Sequence, residues 1–335
     1  MAELDLDVVQ GELDAPEHTV RWLAALEPAA DVDGPELPDD EAERLLDRLE
    51  VPREDQADLL AARPDPQADK AYWWILDRLH RSFLPTIGKP VTTDGFQAWQ
   101  PLTTNAADAK ARQLYLWAYL ALLPAVRRYH AERGVPDEVS WATLSLAFAI
   151  RMHKDLTGHN GLGLSHQWGP PIRLRGVFYK LGRLDFNRAE LSFSNGPGGF
   201  ALSVHIPPDG PLDKAAVEES IAAAREFFPR HYPDEPVTFF TCDSWLLDPQ
   251  LADYLPAESN ILEFQRRFTL TPQPHRDENG NGAILRFVFG RQGSGENVLD
   301  TLPQETTLHR AVVAHLRAGR QWYERTGWFP FEEAP

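Results

Sequence analysis

The chain has 335 residues, 43% of them apolar and 10% aromatic, a globular composition with length enough for two domains. Its 33 basic residues against 50 acidic ones leave a net charge of −17, which argues against nucleic acid or an anionic membrane as a general partner. With Cys242 as the one cysteine, an intrachain disulfide and a cysteine-based zinc site are both excluded.

Acidic helices are expected over residues 1–66, punctuated by Pro28, Pro35, Pro38 and Pro52. The start, Met1-Ala2-Glu3-Leu4-Asp5, lacks the basic residues and apolar core of a signal peptide. Residues 41–49 place Leu45, Leu46 and Leu49 on one helical face. Pro64-Asp65-Pro66 reads as a loop, and residues 69–83 then set Trp73, Trp74, Leu76, Leu79 and Phe83 at helical intervals. A long helix over 106–133 follows, in which Pro124 predicts a kink. Its most apolar run, 114–126, is too short to span a bilayer and reads as a buried helix, so a cytoplasmic protein is expected. Residues 141–156 predict one further helix capped by Ser140. Trp73, Trp74, Trp99, Trp117 and Trp141 are expected mostly in a core.

A glycine- and proline-rich joint at 158–171 predicts the boundary between domains 1–157 and 158–335. Beyond it, residues 172–181 and 184–193 read as strands joined at Gly182-Arg183, and 195–199 as a turn. The next elements are a strand at 200–206, a loop at 207–212, a helix at 213–231 and a strand at 237–242. A short helix then opens at Ser259-Asn260. A strand running through a tight loop into a helix N-terminus offers amide hydrogens to an anion such as a pyrophosphate. The crevice beside the following strand suits a long cofactor arm such as that of coenzyme A. Further on, 268–271 and 284–289 predict a hairpin around 279–282, the glycines of 291–295 a surface turn, and 306–317 a last helix. The fold class is therefore α+β, a helical N-terminal half followed by a mixed α/β half.

Leu181-Gly182-Arg183-Leu184, His205-Ile206-Pro207, Gly210-Pro211-Leu212, Ser244-Trp245-Leu246-Leu247, Ser259-Asn260-Ile261 and Leu302-Pro303 with Thr307-Leu308 carry a resemblance. The chain resembles the actinobacterial and firmicute acyltransferase-domain proteins, which join a helical N-terminal domain to a C-terminal domain similar to the GNAT fold. The resemblance implies acetyl-CoA or another acyl-CoA as co-substrate and a small-molecule amine as acceptor. It implies that Ile206, Gly210 and Leu212 form the phosphate loop and that Asn260 lies beside the pantetheine. Of the family's loop glycines, Gly210 is the one present, and the tyrosine that often serves as acid after the second helix is replaced by Arg267 and Phe268.

Amide formation needs a base for the amine proton. His205, ending the strand before the loop, is the leading candidate, with Glu190 and Asp185 on the neighbouring strand as alternatives. Cys242 is a candidate nucleophile set against its more ordinary reading as a small buried hydrophobe. His153, Asp155, His159 and His166 have spacings that match no metal-binding pattern. The function expected is acyl-CoA-dependent N-acyltransfer to an unidentified amine. The alternative is a non-catalytic GNAT-like module that binds a small ligand or a protein.

Overall fold

The computed structural model describes residues 6–193, 196–272, 280–291 and 299–332. The chain divides into two compact units, residues 1–89 with 95–179, and residues 90–94 with 180–335.

The first unit holds the helices Leu6–Leu13 (α1), Glu17–Ala25 (α2), Ala42–Arg48 (α3), Arg53–Ala61 (α4), Lys70–Phe83 (α5), Ala109–Glu132 (α6), Asp137–Leu144 (α7), Ala147–Thr157 (α8) and Gly169–Leu174 (α9). The α6 helix is the hub. Every residue from Ala111 to Leu123 is buried, and the helix runs on through Pro124. An apolar surface all round is what a helix enclosed by others requires. Asp108 starts it by accepting from the Ala111 amide at 2.9 Å, and Tyr72 of α5 donates to the same carboxylate. Trp74, Trp99 and Trp117 are core residues, with Trp73 and Trp141 packed at its margin.

Two local expectations change here. The helix expected at 141–156 is two helices, because Ser145 is extended, with ψ at 137°, and Leu146 donates to Leu49. Ser140 consequently lies inside α7, buried against His130 Nδ1 at 2.7 Å, rather than at a helix start. The strand expected from residue 172 begins instead as α9, since Pro170 and Pro171 sit in a first helical turn where no amide is needed. The glycine-rich joint falls within the first unit, which continues to Tyr179.

The second unit is built on the strands Val91–Thr92 (β1), Phe178–Leu181 (β2), Leu184–Ser192 (β3), Gly198–His205 (β4), Phe239–Ser244 (β5), Thr269–Leu270 (β6) and Arg325–Pro330 (β7). The order is β1-β3-β4-β5-β7-β6, with β2 carrying the chain into the unit and pairing with β3. Strands β3 and β4 are antiparallel, β4 and β5 parallel, and β5 and β7 antiparallel. The helices are Lys214–His231 (α10), Asn260–Gln265 (α11), Gly280–Phe289 (α12) and Thr307–Arg317 (α13). The strand expected at 284–289 is part of α12; Ile284 and Leu285 bury adjacent side chains, as an apolar helix does, and so short a run fits either period. Residues 273–279 and 292–295 of the expected hairpin and surface turn lie outside the described residues.

Alternation along the paired strands separates two chemistries. One face carries Phe186 and Arg188 of β3, Leu202 and Val204 of β4, Phe240 and Cys242 of β5, and Phe329 of β7. Helix α10 covers it through Val217, Ile221, Ala224 and Phe228, with Phe228 edge-on to Phe186 at 6.4 Å. Phe240 stacks on Phe329 at 4.7 Å, and Phe268, just beyond α11, meets Phe329 edge-on at 5.0 Å. Gly327 is needed here, because a Cβ would lie 2.9 Å from Phe268 Cβ. The opposite face carries Asp185, Asn187, Ser203, His205, Thr241 and Asp243 above Ala189 and Ala201.

Candidate active site

The parallel pairing of β4 with β5 ends at Ser203 opposite Thr241. Beyond it β4 continues to His205 along β3, while β5 continues to Ser244 along β7. The two strands thus part at their carboxyl ends, opening a fork beyond Ser203 and Thr241. In open α/β sheets such crevices outside the strand ends are where ligands lie.

His205 stands at the fork on the polar face, half-buried, with Nε2 2.5 Å from Asn187 Oδ1. Asp185 is its direct cross-strand neighbour and is buried. Directly opposed side chains in an antiparallel pair have Cβ atoms roughly 5 Å apart. Glu190, by contrast, is exposed and paired with Phe200, five positions back along β4 from His205. At about 3.4 Å per residue that is some 17 Å away, on the other face of the sheet. Cys242 also faces away, buried on the apolar side. Burial, with Asp243 adding to it, pushes its thiol well above the ordinary range and keeps it protonated. The fold therefore brings His205 and Asp185 together, with Asn187, and leaves Glu190 and Cys242 elsewhere.

The loop after Ile206 reaches α10 through Leu212, whose side chain is buried. Asp213 caps the helix by accepting from Ala216 at 3.2 Å. Among the described residues no main-chain carbonyl accepts from the amides of Gly210 or Leu212. The loop's own charge is acidic, and its cations come from the β2–β3 hairpin. Lys180 Nζ lies 2.8 Å from Asp209, and Arg183 donates to the carbonyls of Gly210 and Pro211 at 2.9 and 2.8 Å. Burial works upward on the Asp209 carboxyl, but the Lys180 hydrogen bond and the charges of Lys180 and Arg183 outweigh it and hold it below the usual carboxylate range. Ser220 of α10 locks the hairpin by accepting from the Arg183 amide at 2.7 Å, and Gly182 takes a φ of +76° beneath it. Lys180, expected within a strand, and Arg183, expected in a turn, are loop-holding cations that the sequence reading did not single out.

Asn260 is exposed at the first position of α11, after the cap Ser259, which accepts from Leu262 at 3.4 Å. Lys214, the first residue of α10, pairs with Glu263 at 3.1 Å, and Arg267 with Glu218 at 3.0 Å. These bridges tie the start of α10 to α11 and to the segment just after it. Glu263 therefore serves the bridge. At the position of the missing tyrosine, Arg267 is paired and Phe268 is packed.

In the first unit His153 Nδ1 bonds the His159 carbonyl at 3.0 Å, and Nε2 accepts from the Leu164 amide at 3.1 Å. Burial, despite that carbonyl, lowers its pKa to about 4. Its two ring nitrogens thus hold main chain.

A parting parallel strand pair, a loop running into a helix start and a histidine at the fork define a GNAT-type acyl-transfer fold. Comparison with known families agrees. The N-acyltransferase N-terminal domain matches residues 40–172 and the GNAT-like C-terminal domain residues 178–329. The chain belongs to the family of acyltransferases that join these two domains. Among solved structures it is similar to an acyltransferase in complex with decanoyl-CoA and teicoplanin, at 40% identity and a TM-score of 0.85 over 98% of this chain and 100% of the other. It is also similar to an acyltransferase mutant in complex with octanoyl-CoA, at 40% identity and a TM-score of 0.84 over 98% and 99%. A further acyltransferase in complex with decanoyl-CoA is 38% identical, with a TM-score of 0.82 over 97% and 99%. No curated protein matches the chain by sequence.

Proposed function

We propose that this protein transfers a medium- to long-chain acyl group from coenzyme A to an amine on a glycopeptide-type acceptor. The observation that carries the reading is the fork between β4 and β5 with His205 at its tip. The relatives crystallised with octanoyl-CoA, decanoyl-CoA and teicoplanin support the choice of donor and acceptor. Among the described residues no helix is long and apolar enough to cross a membrane. Use of a soluble thioester from the metabolic pool fits the cytoplasm.

In this reading the thioester arm lies in the fork, with its diphosphate on the amides of Gly210 and Leu212 and the first turn of α10, flanked by Lys180 and Arg183. Ile206 and Asn260 border the pantetheine. The amine nitrogen attacks the thioester carbonyl, forming a C–N bond, and the C–S bond breaks. His205 takes the proton the amine loses, and the departing sulfur ends as the coenzyme A thiol, so one proton passes from nitrogen to sulfur in the balance.

The test is turnover of decanoyl-CoA with teicoplanin-type amines, read as the mass of the acylated product. His205→Ala is expected to lower kcat about 10²- to 10⁴-fold, the usual worth of a general base. Coenzyme A should still raise the melting temperature of this variant by linkage. A ligand-induced shift in the wild type with no acylation of any amine would favour a binding module instead. Undiminished turnover in His205→Ala would remove His205 from the chemistry.

A further inference from the structure

Asn187 is 3% exposed on β3, on the polar face and one diagonal step from His205. A buried side-chain amide beside a candidate base has two ways to face it, and the choice fixes the proton on the imidazole. Here the choice is made by the backbone. Asn187 Nδ2 donates to the Arg188 carbonyl at 3.2 Å, which leaves Oδ1 as the atom 2.5 Å from His205 Nε2. An amide oxygen only accepts, so Nε2 must carry the hydrogen. In the neutral ring the lone pair is then on Nδ1.

The backbone holds Asn187 in turn. Arg188 is 2% exposed on the opposite face, ion-paired with Glu235 and stacked 3.9 Å from the Tyr232 ring. That anchorage fixes β3 where the Arg188 carbonyl receives the amide. Asp185, opposite His205, and Asp243, across the fork on β5, are the acidic groups on the same face.

We infer that Asn187 is a positioning residue: it fixes the His205 tautomer so that Nδ1 receives the proton of the acceptor amine. The inference rests on the reading of His205 as the base. An imidazole in the other tautomer would present a hydrogen to the amine where a lone pair is needed, and the transfer would wait on a tautomer exchange.

The experiment combines kinetics with two-bond nitrogen–proton correlation spectra of the histidine rings, assigned with His205→Ala. The wild type should show the Nε2–H form for His205. Asn187→Leu should shift it toward the Nδ1–H form and lower kcat about 10- to 100-fold, with KM for decanoyl-CoA unchanged. Asn187→Asp, which still accepts at Nε2, should restore the tautomer and most of kcat. Asn187→Ala repeats the test without added bulk. An Nδ1–H wild-type ring, or an Asn187→Leu protein that keeps both tautomer and kcat, would overturn the inference. If His205→Ala retains full turnover, the base assignment fails separately, while the spectra still report whether Asn187 sets the tautomer.

Discussion

Thr241 and Cys242 are neighbours in the chain and face opposite sides of the same strand. That one-residue difference places Thr241 on the face of His205 and Asn187 and turns the thiol to the face covered by α10. A thiol held protonated by burial and by the Asp243 charge lacks what activates a cysteine nucleophile. Cys242→Ala should therefore leave acyl transfer within about twofold of wild type and cost roughly 1 kcal/mol of stability, an ordinary loss for a small buried group. The native thiol should resist alkylation until the protein unfolds. Rapid loss of activity on alkylation of the folded protein would contradict this. The tautomer of His205 belongs to the same scale, since it depends on one amide orientation.

Loop 206–212 is the element whose geometry depends most on residues from elsewhere. The Lys180–Asp209 bridge is half exposed, and such pairs are worth about 0–1 kcal/mol. Arg183 donates to two loop carbonyls with its side chain 11% exposed, and hydrogen bonds to a charged group are worth about 1.5–3 kcal/mol each before screening by solvent. Arg183 is thus the stronger clamp. Arg183→Ala should raise KM for acyl-CoA about 5- to 50-fold while changing kcat less. Lys180→Ala should have a smaller effect that fades as salt is added. Equal effects from the two, measured at low and high salt, would show that the loop is held by net charge rather than by the Arg183 fork.

For the whole molecule, the two units answer to different conditions. The second should respond to ligand, the first to acid. His153 ties the loop from Thr157 to Leu164 to α8, and its pKa falls from 6.5 to about 4 on folding. Below pH 6.5 the unfolded chain gains a proton that the folded one refuses, so stability drops as pH falls, until about pH 4, where the folded ring also protonates. The slope from this one group approaches about 1.4 kcal/mol per pH unit. His153→Gln should lower the melting temperature at pH 7 and flatten its dependence between pH 6.5 and 4. A slope identical to wild type would show that other groups govern the acid limb. The net charge of −17 adds a separate, salt-sensitive repulsion that shrinks as carboxylates protonate.

Sequence alone determined the α+β class, the strand–loop–helix order around His205 and the helix start at Ser259-Asn260. All of these follow from periodicity and local hydrogen bonding, which a few consecutive residues settle. Gly210, Leu212 and Asn260 came from the family resemblance, and the loop and helix start that hold them are local features. The pairing register lay beyond the reach of sequence. Whether Glu190, Asp185 or Asn187 stands beside His205 depends on which residue of β3 faces which residue of β4, and one step of slip would turn every side chain to the other face. The same holds for the fork, which exists because β4 follows β3 and β5 follows β7 past Ser203 and Thr241. Strand β7, from the far end of the chain, and the cations of the β2–β3 hairpin complete the site through contacts between distant segments. Only the tertiary structure could bring those partners together.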